Sequence, residues 1–74
     1  MVLQPRAAEF MTIRQINRIF RLKDESHLWP INNRFNVTDR AIHRLARSGI
    51  HWDDGSCYAE ALDAEIGRIV NGEV

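Results

Sequence analysis

The sequence predicts a small, mainly α-helical domain of three helices, with an irregular loop or short extended segments between helices 1 and 2. Its 74 residues suffice for one domain, and an apolar fraction of 45% is ordinary for a globular chain. Apolar residues recur at helical spacing in three stretches, which clusters of Gly, Pro, Asn and Asp separate. We expect residues 1–10, which Pro5 interrupts and which show no period, to be a flexible N-terminal segment, and residues 11–74 to form a single small helical domain.

The first helix is expected over residues 12 to 22. Thr12 is a suitable N-cap because its hydroxyl can accept a hydrogen bond from a free backbone N–H of the first turn. Ile13, Ile16 and Phe20 follow at helical spacing and predict the side that packs on the core. Ile19 and Leu22 widen this apolar side.

Residues 23–37 are predicted to be irregular. Pro30 disfavours helical geometry at Trp29, and the neighbouring asparagines, Asn32 and Asn33, favour a turn. Short extended pieces are expected at residues 28–31 and 35–37. A loop of this length is unusual in a compact domain, so we expect Trp29 and Phe35 to hold it against the core.

Two further helices are expected after this loop. Thr38 is predicted to cap the second helix, which ends where Gly49 can adopt a left-handed conformation. The turn-forming residues 53–56 precede a third helix, from Ser56 or Cys57 to about Asn71, and Gly72 stops it.

The zero net charge conceals a division along the chain. Residues 1–49 hold nine basic and four acidic residues, whereas residues 50–74 hold one basic and six acidic residues. Six of the arginines form two rows with identical i, i+4, i+7 spacing: Arg14, Arg18 and Arg21 in the first helix, and Arg40, Arg44 and Arg47 in the second. Such rows are typical of a surface that contacts protein or nucleic acid, and equally of a solvated helix face. The acidic segment could also fold against the basic one and partly cancel its field.

The sequence does not predict an enzyme. His27, His43 and His51 show no helical pairing, and the single cysteine, Cys57, allows no intrachain disulfide or cysteine metal cluster. The acidic turn that begins at Asp53 does not follow the calcium-loop pattern, and no glycine-rich phosphate loop occurs. We therefore expect no cofactor, no metal and no small-molecule substrate. Without a membrane-length apolar run or a secretory signal, the expected location is the cytoplasm.

A binding surface is the remaining expectation. Interface hot spots favour Trp, Tyr and Arg. Of Trp29, Trp52 and Tyr58, at least two are expected in the core, and Trp29, beside Pro30, is the one that we place at an interface. The predicted partner-binding residues are therefore Arg14, Arg18, Arg21, Trp29, Arg40, Arg44 and Arg47.

Two segments of the chain support a resemblance to a known class of proteins. They are the run from Met11 to Arg21 (MTIRQINRIFR) and the segment from Gly49 to Gly55 (GIHWDDG). In general build, the whole chain resembles the small regulators with which bacteriophages control host RNA polymerase. These are short, cysteine-poor, cofactor-free proteins that bind polymerase subunits. The family has no shared motif, so the resemblance assigns no residue a role. It implies a transcription regulator or inhibitor that acts through protein–protein interaction in the host cytoplasm.

Three functions therefore stand as expectations. The first is a protein-binding transcription regulator that engages bacterial RNA polymerase. The alternative is a small DNA-binding repressor or accessory factor that uses the arginine-lined helices, although the isoelectric point near 6.8 and the lack of a basic recognition helix count against it. The third is a homo-oligomeric module that associates through Leu62, Ile66 and Ile69.

Overall fold

The structure, a computed structural model, describes residues 7–72. It contains three α-helices: α1 (Ile13–Arg21), α2 (Ile31–Arg47) and α3 (Ser56–Val70). Short 3₁₀ helices precede α1 (Ala7–Phe10) and occupy the two connections (Asp24–Leu28 and Trp52–Asp54). Residues 7–72 include no strand, and none of the helices there is long and apolar enough to cross a membrane. The predicted three-helix fold class is confirmed.

Helix α1 begins at the predicted cap. The Thr12 Oγ1 accepts a hydrogen bond from the Gln15 backbone N–H at 3.1 Å, and Gln15 Oε1 accepts one from the Thr12 N–H at 2.9 Å. This reciprocal pair satisfies two N–H groups that the first turn would otherwise leave free. Ile16 and Phe20 are fully buried, but Ile13 is 57% exposed and Leu22 is 76% exposed, so the apolar side of α1 is narrower than predicted.

Helix α2 begins eight residues earlier than predicted, with its N-cap at Pro30 and its first helical residue at Ile31, and the N-cap assigned to Thr38 is wrong. Thr38 lies in the middle of α2, fully buried, and its hydroxyl donates to the Arg34 carbonyl at 2.8 Å. This bond to the preceding turn satisfies the hydroxyl without ending the helix. Pro30 starts α2 instead, where the missing N–H of proline costs nothing. The extended piece predicted at residues 35–37 is therefore helical, as is residue 31 at the end of the piece predicted at 28–31, and the connection is limited to residues 22–30.

Helix α2 ends as predicted. Gly49 has φ +81°, its N–H donates to the Ala46 carbonyl, and the N–H of Ile50 donates to the Leu45 carbonyl, both at 3.0 Å. This pair of bonds is the Schellman arrangement, which satisfies carbonyls of the last turn and turns the chain back. Ile50 then packs against the core.

The core is formed by two residues from each helix: Ile16 and Phe20, Ala41 and Leu45, Leu62 and Ile66. Trp29 and Phe35 pack against it as predicted, the first with its ring centroid 6.2 Å from that of Phe20. Leu62 and Ile66 are thus buried within this chain, so the predicted self-association through the apolar side of α3 is wrong for these two residues.

The segment that the sequence predicts to be flexible, residues 1–10, falls into two parts. Residues 1–6 lie outside the described residues. Ala7–Phe10 forms a 3₁₀ helix against α2, in which Ala8 is fully buried and its N–H donates to Asp39 Oδ1 at 3.2 Å. This contact places Phe10 and Met11 beside the C-terminal half of α2.

Candidate partner-binding surface

An apolar groove opens where four parts of the chain meet: the 3₁₀ helix Ala7–Phe10, the second half of α2, the connection after it, and the start of α3. We call it the aromatic groove. Its volume is about 240 Å³. The residues that line it are Phe10, Met11, Ile42, Ala46, Ile50, His51, Trp52 and Tyr58.

Two aromatic side chains stand at this groove with most of their surface in water. Phe10 is 67% exposed and Trp52 is 69% exposed, and their ring centroids lie 5.9 Å apart at an interplanar angle of 56°. The rings therefore contact each other in a tilted arrangement that aromatic pairs favour. An exposed aromatic pair beside an apolar hollow has the composition of an interface hot spot.

Both aromatic residues are held in place by polar contacts of the backbone. Phe10 belongs to the 3₁₀ helix that Asp39 binds through the Ala8 N–H. Trp52 begins a 3₁₀ turn in which Asp54 Oδ2 accepts a hydrogen bond from the His51 N–H at 3.1 Å. These anchors reduce the conformational entropy that a partner must overcome on binding, so the surface is preorganised.

Tyr58 forms the α3 side of the groove. Its side chain is half-buried, and this burial raises the pKa of its hydroxyl above the ordinary value of 10.0. The hydroxyl is therefore neutral at physiological pH and can donate or accept a hydrogen bond.

The volume of the groove also restricts what it can hold. Ligand sites for drug-sized molecules occupy about 300–1,000 Å³, so this hollow is better matched to one or two large side chains of a protein.

Within residues 7–72, no three His, Cys, Asp or Glu side chains lie together as a candidate metal site.

The arginines of α1 form an open basic surface, as predicted from their spacing. Arg14, Arg18 and Arg21 are all exposed and line a shallow polar depression with Asn17 and Ile13. None of the three has an ion-pair partner among residues 7–72. This row is available to an external anion.

The three arginines predicted as a row on α2 divide into two groups. Arg40 and Arg47 are exposed and likewise have no ion-pair partner in the part of the chain that the structure describes. Arg44 differs, because its Nε lies 2.8 Å from Glu65 Oε1. The other oxygen of that carboxylate lies 2.7 Å from a guanidinium nitrogen of Arg68. Arg44 therefore has a structural role at the α2–α3 contact.

The acidic third of the chain does fold against the basic part. Besides the Arg44–Glu65 pair, Lys23 Nζ lies 2.9 Å from Asp63 Oδ1. Two of the α3 carboxylates thus neutralise cations from earlier in the chain. The five exposed arginines of the two rows (Arg14, Arg18, Arg21, Arg40 and Arg47) have no such neutralising partner within residues 7–72.

The two tryptophans lie in different environments. Trp29, the one expected at an interface, is half-buried against Phe20, as expected from the contact of its loop with the core, and Trp52 is exposed. The proline beside Trp29 starts a helix and does not mark a surface loop. One signal for Trp52 was present in the sequence, because two aspartates follow it and charged neighbours keep that turn in water.

Comparisons with known proteins found no matching protein family, no matching characterised sequence and no matching solved structure.

Proposed function

We propose that this chain is a protein-binding regulator and that the aromatic groove is its principal docking surface. The observation that carries the proposal is the exposed, preorganised pair of Phe10 and Trp52 beside an apolar hollow. Leaving these rings in water costs the isolated domain free energy, and a partner that covers them recovers it.

The arginines support the same function from outside the groove. Arg is enriched at protein interfaces because its guanidinium combines charge, planar hydrogen bonding and stacking. Arg40 and Arg47 extend from the helix that supplies Ile42 and Ala46 to the groove. These two arginines line a separate depression with His43 and Arg44, so they offer a second contact area on the same helix.

Bacterial RNA polymerase is the target that we propose, on the strength of the resemblance to phage-encoded regulators. The chain would act in a bacterial cytoplasm, modulating host transcription by covering part of a polymerase subunit. This proposal requires no cofactor or metal.

Retention of purified bacterial RNA polymerase by the immobilised chain tests this function. We expect the wild type to retain the enzyme and Trp52→Ala to bind it about 30-fold more weakly, the effect of losing a hot-spot residue worth about 2 kcal/mol. Leu28→Ala is the matched control, because Leu28 is 73% exposed but does not line the groove. Capture from a bacterial lysate with mass spectrometry extends the test to other subunits and factors.

Two results would contradict the proposal at different levels. Absence of polymerase from both experiments would exclude it as the target. Equal loss of binding in Trp52→Ala and Leu28→Ala would exclude the aromatic groove as the docking surface.

A second candidate function is DNA binding, which the five exposed arginines without ion-pair partners favour. This function predicts a gel shift whose affinity falls steeply with salt, with a log–log slope of up to about −4 to −5 if all five contact phosphates. Arg40→Ala and Arg47→Ala should each reduce that slope by about one. Arg44→Ala is less informative because it also breaks the pair with Glu65. No shift at low salt would exclude this function.

A further inference from the structure

We propose that the arginine row of α1 is a binding site for the phosphate backbone of duplex DNA, separate from the aromatic groove. In this site Arg14, Arg18 and Arg21 each contact a phosphate, and the Asn17 amide adds a neutral donor. The inference goes beyond the proposed docking of a protein and does not depend on it. It differs from the second candidate function because it assigns the DNA to one of the two arginine rows.

The side chains around the row offer hydrogen-bond donors and no negative charge. The depression on α1, which we call the α1 depression, is lined by Ile13, Arg14, Asn17, Arg18 and Arg21. Each guanidinium carries five N–H donors and no acceptor. Arg34 donates a hydrogen bond to Asn17 Oδ1, so the NH₂ group of this amide remains for a ligand. Donors that carry three positive charges favour an anion as the ligand.

Arg34 adds a half-buried positive charge in contact with Asn17. Its Nε is buried without a hydrogen-bond partner, and no carboxylate of residues 7–72 forms an ion pair with it. A cation withdrawn from water in this way favours an anion nearby, because the opposite charge offsets part of the lost hydration. Asp24 and Glu25 follow α1 in sequence but do not line the α1 depression. The compensating anion therefore comes from outside the described chain.

The corresponding row on α2 lies beside carboxylates. Its depression is lined by Arg40, His43, Arg44 and Arg47, with the same spacing as the four polar residues of the α1 depression. Glu65 lies 2.8 Å from Arg44, and Asp39 lies 3.5 Å from His43. These two negative charges lower the positive potential of the α2 row. The α1 arginines form no such pair within residues 7–72, so the α1 row is the stronger anion site.

The length and composition of the α1 row favour the backbone of a duplex. Arg14 and Arg21 lie two turns apart, about 10 Å along the helix axis. Duplex DNA carries one negative charge for about every 1.7 Å of its axis, so several phosphates face a row of this length. Proteins that bind single strands stack the bases on aromatic side chains, and no aromatic residue lines the α1 depression. Contacts to phosphates alone position a duplex without reading its sequence.

The salt dependence of DNA binding tests this inference. Fluorescence anisotropy of a labelled duplex gives the affinity of the full chain at each salt concentration. Three phosphate contacts predict a slope of about −2.7 for log affinity against log salt, which is a roughly 500-fold loss between about 20 mM and about 200 mM salt. A duplex of unrelated sequence should bind within about twofold of the first, because the backbone contacts carry no sequence information.

Two double variants identify the row that holds the DNA. Arg14→Gln/Arg21→Gln should reduce the slope to about −0.9, since one phosphate contact remains. Arg40→Gln/Arg47→Gln is the matched control, which removes two exposed arginines with the same i, i+7 spacing and should change the slope by less than about 0.5. Circular dichroism establishes that both variants retain their helices. Equal losses in the two variants would reject the inference in favour of the second candidate function, in which both rows contact DNA.

Asn17→Asp tests the same site without removing an arginine. The new carboxylate would lie among the three guanidinium groups and repel the phosphates, so the DNA affinity should fall at least about fivefold. The same carboxylate can pair with Arg34, so the urea midpoint should not fall. Asn33→Asp is the control, with the same change of net charge at an exposed position that lines neither depression, and its affinity should fall less than about twofold. Equal DNA affinities of Asn17→Asp and the wild type would contradict the site.

Three other results would also overturn the inference. The first is absence of duplex binding at about 20 mM salt. The second is tighter binding of single-stranded DNA than of the duplex. The third is complete displacement of the duplex by polyglutamate at the same concentration of negative charge, which would assign the α1 row to an acidic protein.

The outcome is separable from that of the proposed function. Trp52→Ala should leave the DNA affinity unchanged, because Trp52 does not line the α1 depression. If polymerase is retained and no duplex binds, the docking function stands and the DNA site is wrong. If the duplex behaves as expected and no polymerase is retained, the DNA site stands and the protein target is wrong.

Discussion

Replacing Glu65 by glutamine tests the principal polar contact between α2 and α3. Only 8% of this residue is exposed, and its two carboxylate oxygens contact Arg44 and Arg68 at 2.8 Å and 2.7 Å. Glu65→Gln keeps the volume and one acceptor oxygen but removes the charge. Two guanidinium groups then lose their common counterion.

The exposure of the arginines determines the magnitude. Breaking a fully buried pair costs about 3–5 kcal/mol, because the remaining charge stays away from water. Here the side chains of Arg44 and Arg68 are 34% and 53% exposed, so both can turn toward solvent. Exposed pairs contribute at most about 1 kcal/mol. We therefore expect Glu65→Gln to lower the free energy of unfolding by about 1–2 kcal/mol, which corresponds to a Tm lower by about 4–16 °C in a domain of this size.

Urea denaturation followed by far-UV circular dichroism measures this change. Glu60→Gln is the matched control, since Glu60 is an exposed glutamate on α3 without an ion-pair partner among residues 7–72. The midpoint should fall for Glu65→Gln with an unchanged slope and stay constant for Glu60→Gln. Equal midpoints for the two variants would refute the structural role given to the Arg44–Glu65–Arg68 contact.

The remaining predictions concern backbone conformation and pH. Gly67→Ala should stabilise the chain by up to about 1 kcal/mol, because alanine favours the helix and the new Cβ would lie 3.5 Å from Lys23 Nζ, an ordinary contact; a lower urea midpoint would contradict it. Gly49→Ala should cost about 1–2 kcal/mol, since its φ of +81° is unfavourable for a residue with a Cβ, and Gly49→Asn should cost less in the same assay. Burial raises the folded pKa of Tyr58 above 10.0, so the stability that the neutral hydroxyl provides is present below about pH 10 and is lost as pH rises through the folded pKa. Thermal melts at about pH 8 and about pH 11 should therefore show a steeper loss for the wild type than for Tyr58→Phe, and parallel losses would exclude this cause.

Local chemistry predicted the ends of helices better than their lengths. The Thr12 cap, the Gly49 stop and the start of α3 at Ser56 each follow from one or two residues with specific backbone preferences, and the structure has all three. The first turns of α2 were missed because Thr38 interrupts the apolar pattern with a hydroxyl. Its burial depends on a hydrogen bond to Arg34, a contact inside the helix that exists only once the helix has formed.

The sequence does contain a spacing that indicates the first turns of α2. Ile31, Phe35, Thr38, Ile42 and Leu45 follow one another at intervals of four and three residues, which is one side of a continuous helix when threonine is accepted among them. The asparagines near its start favoured a turn in isolation. Tertiary packing overrides that preference, because Phe35 gains contact with the core.

The candidate site was harder to predict because it joins residues that are distant in sequence. Phe10 and Trp52 come together only because Asp39 holds the N-terminal 3₁₀ helix against α2 and the Gly49 turn directs the chain back past it. A pattern within a single helix cannot predict a contact between two residues that lie in different parts of the chain. The exposure of the arginines, in contrast, follows from helical spacing alone for five of the six predicted residues. The sixth, Arg44, pairs with Glu65 of α3.

The division of charge along the chain explains why a neutral protein can still present a selective surface. Asp63 and Glu65 are used internally, against Lys23 and Arg44, so their negative charge reaches the solvent only in part. The exposed arginines of α1 and α2 have no such neutralisation within residues 7–72, and their field acts over about 8–10 Å in physiological salt. A partner is therefore selected by these local basic rows, since the net charge of zero attracts neither an acidic nor a basic protein.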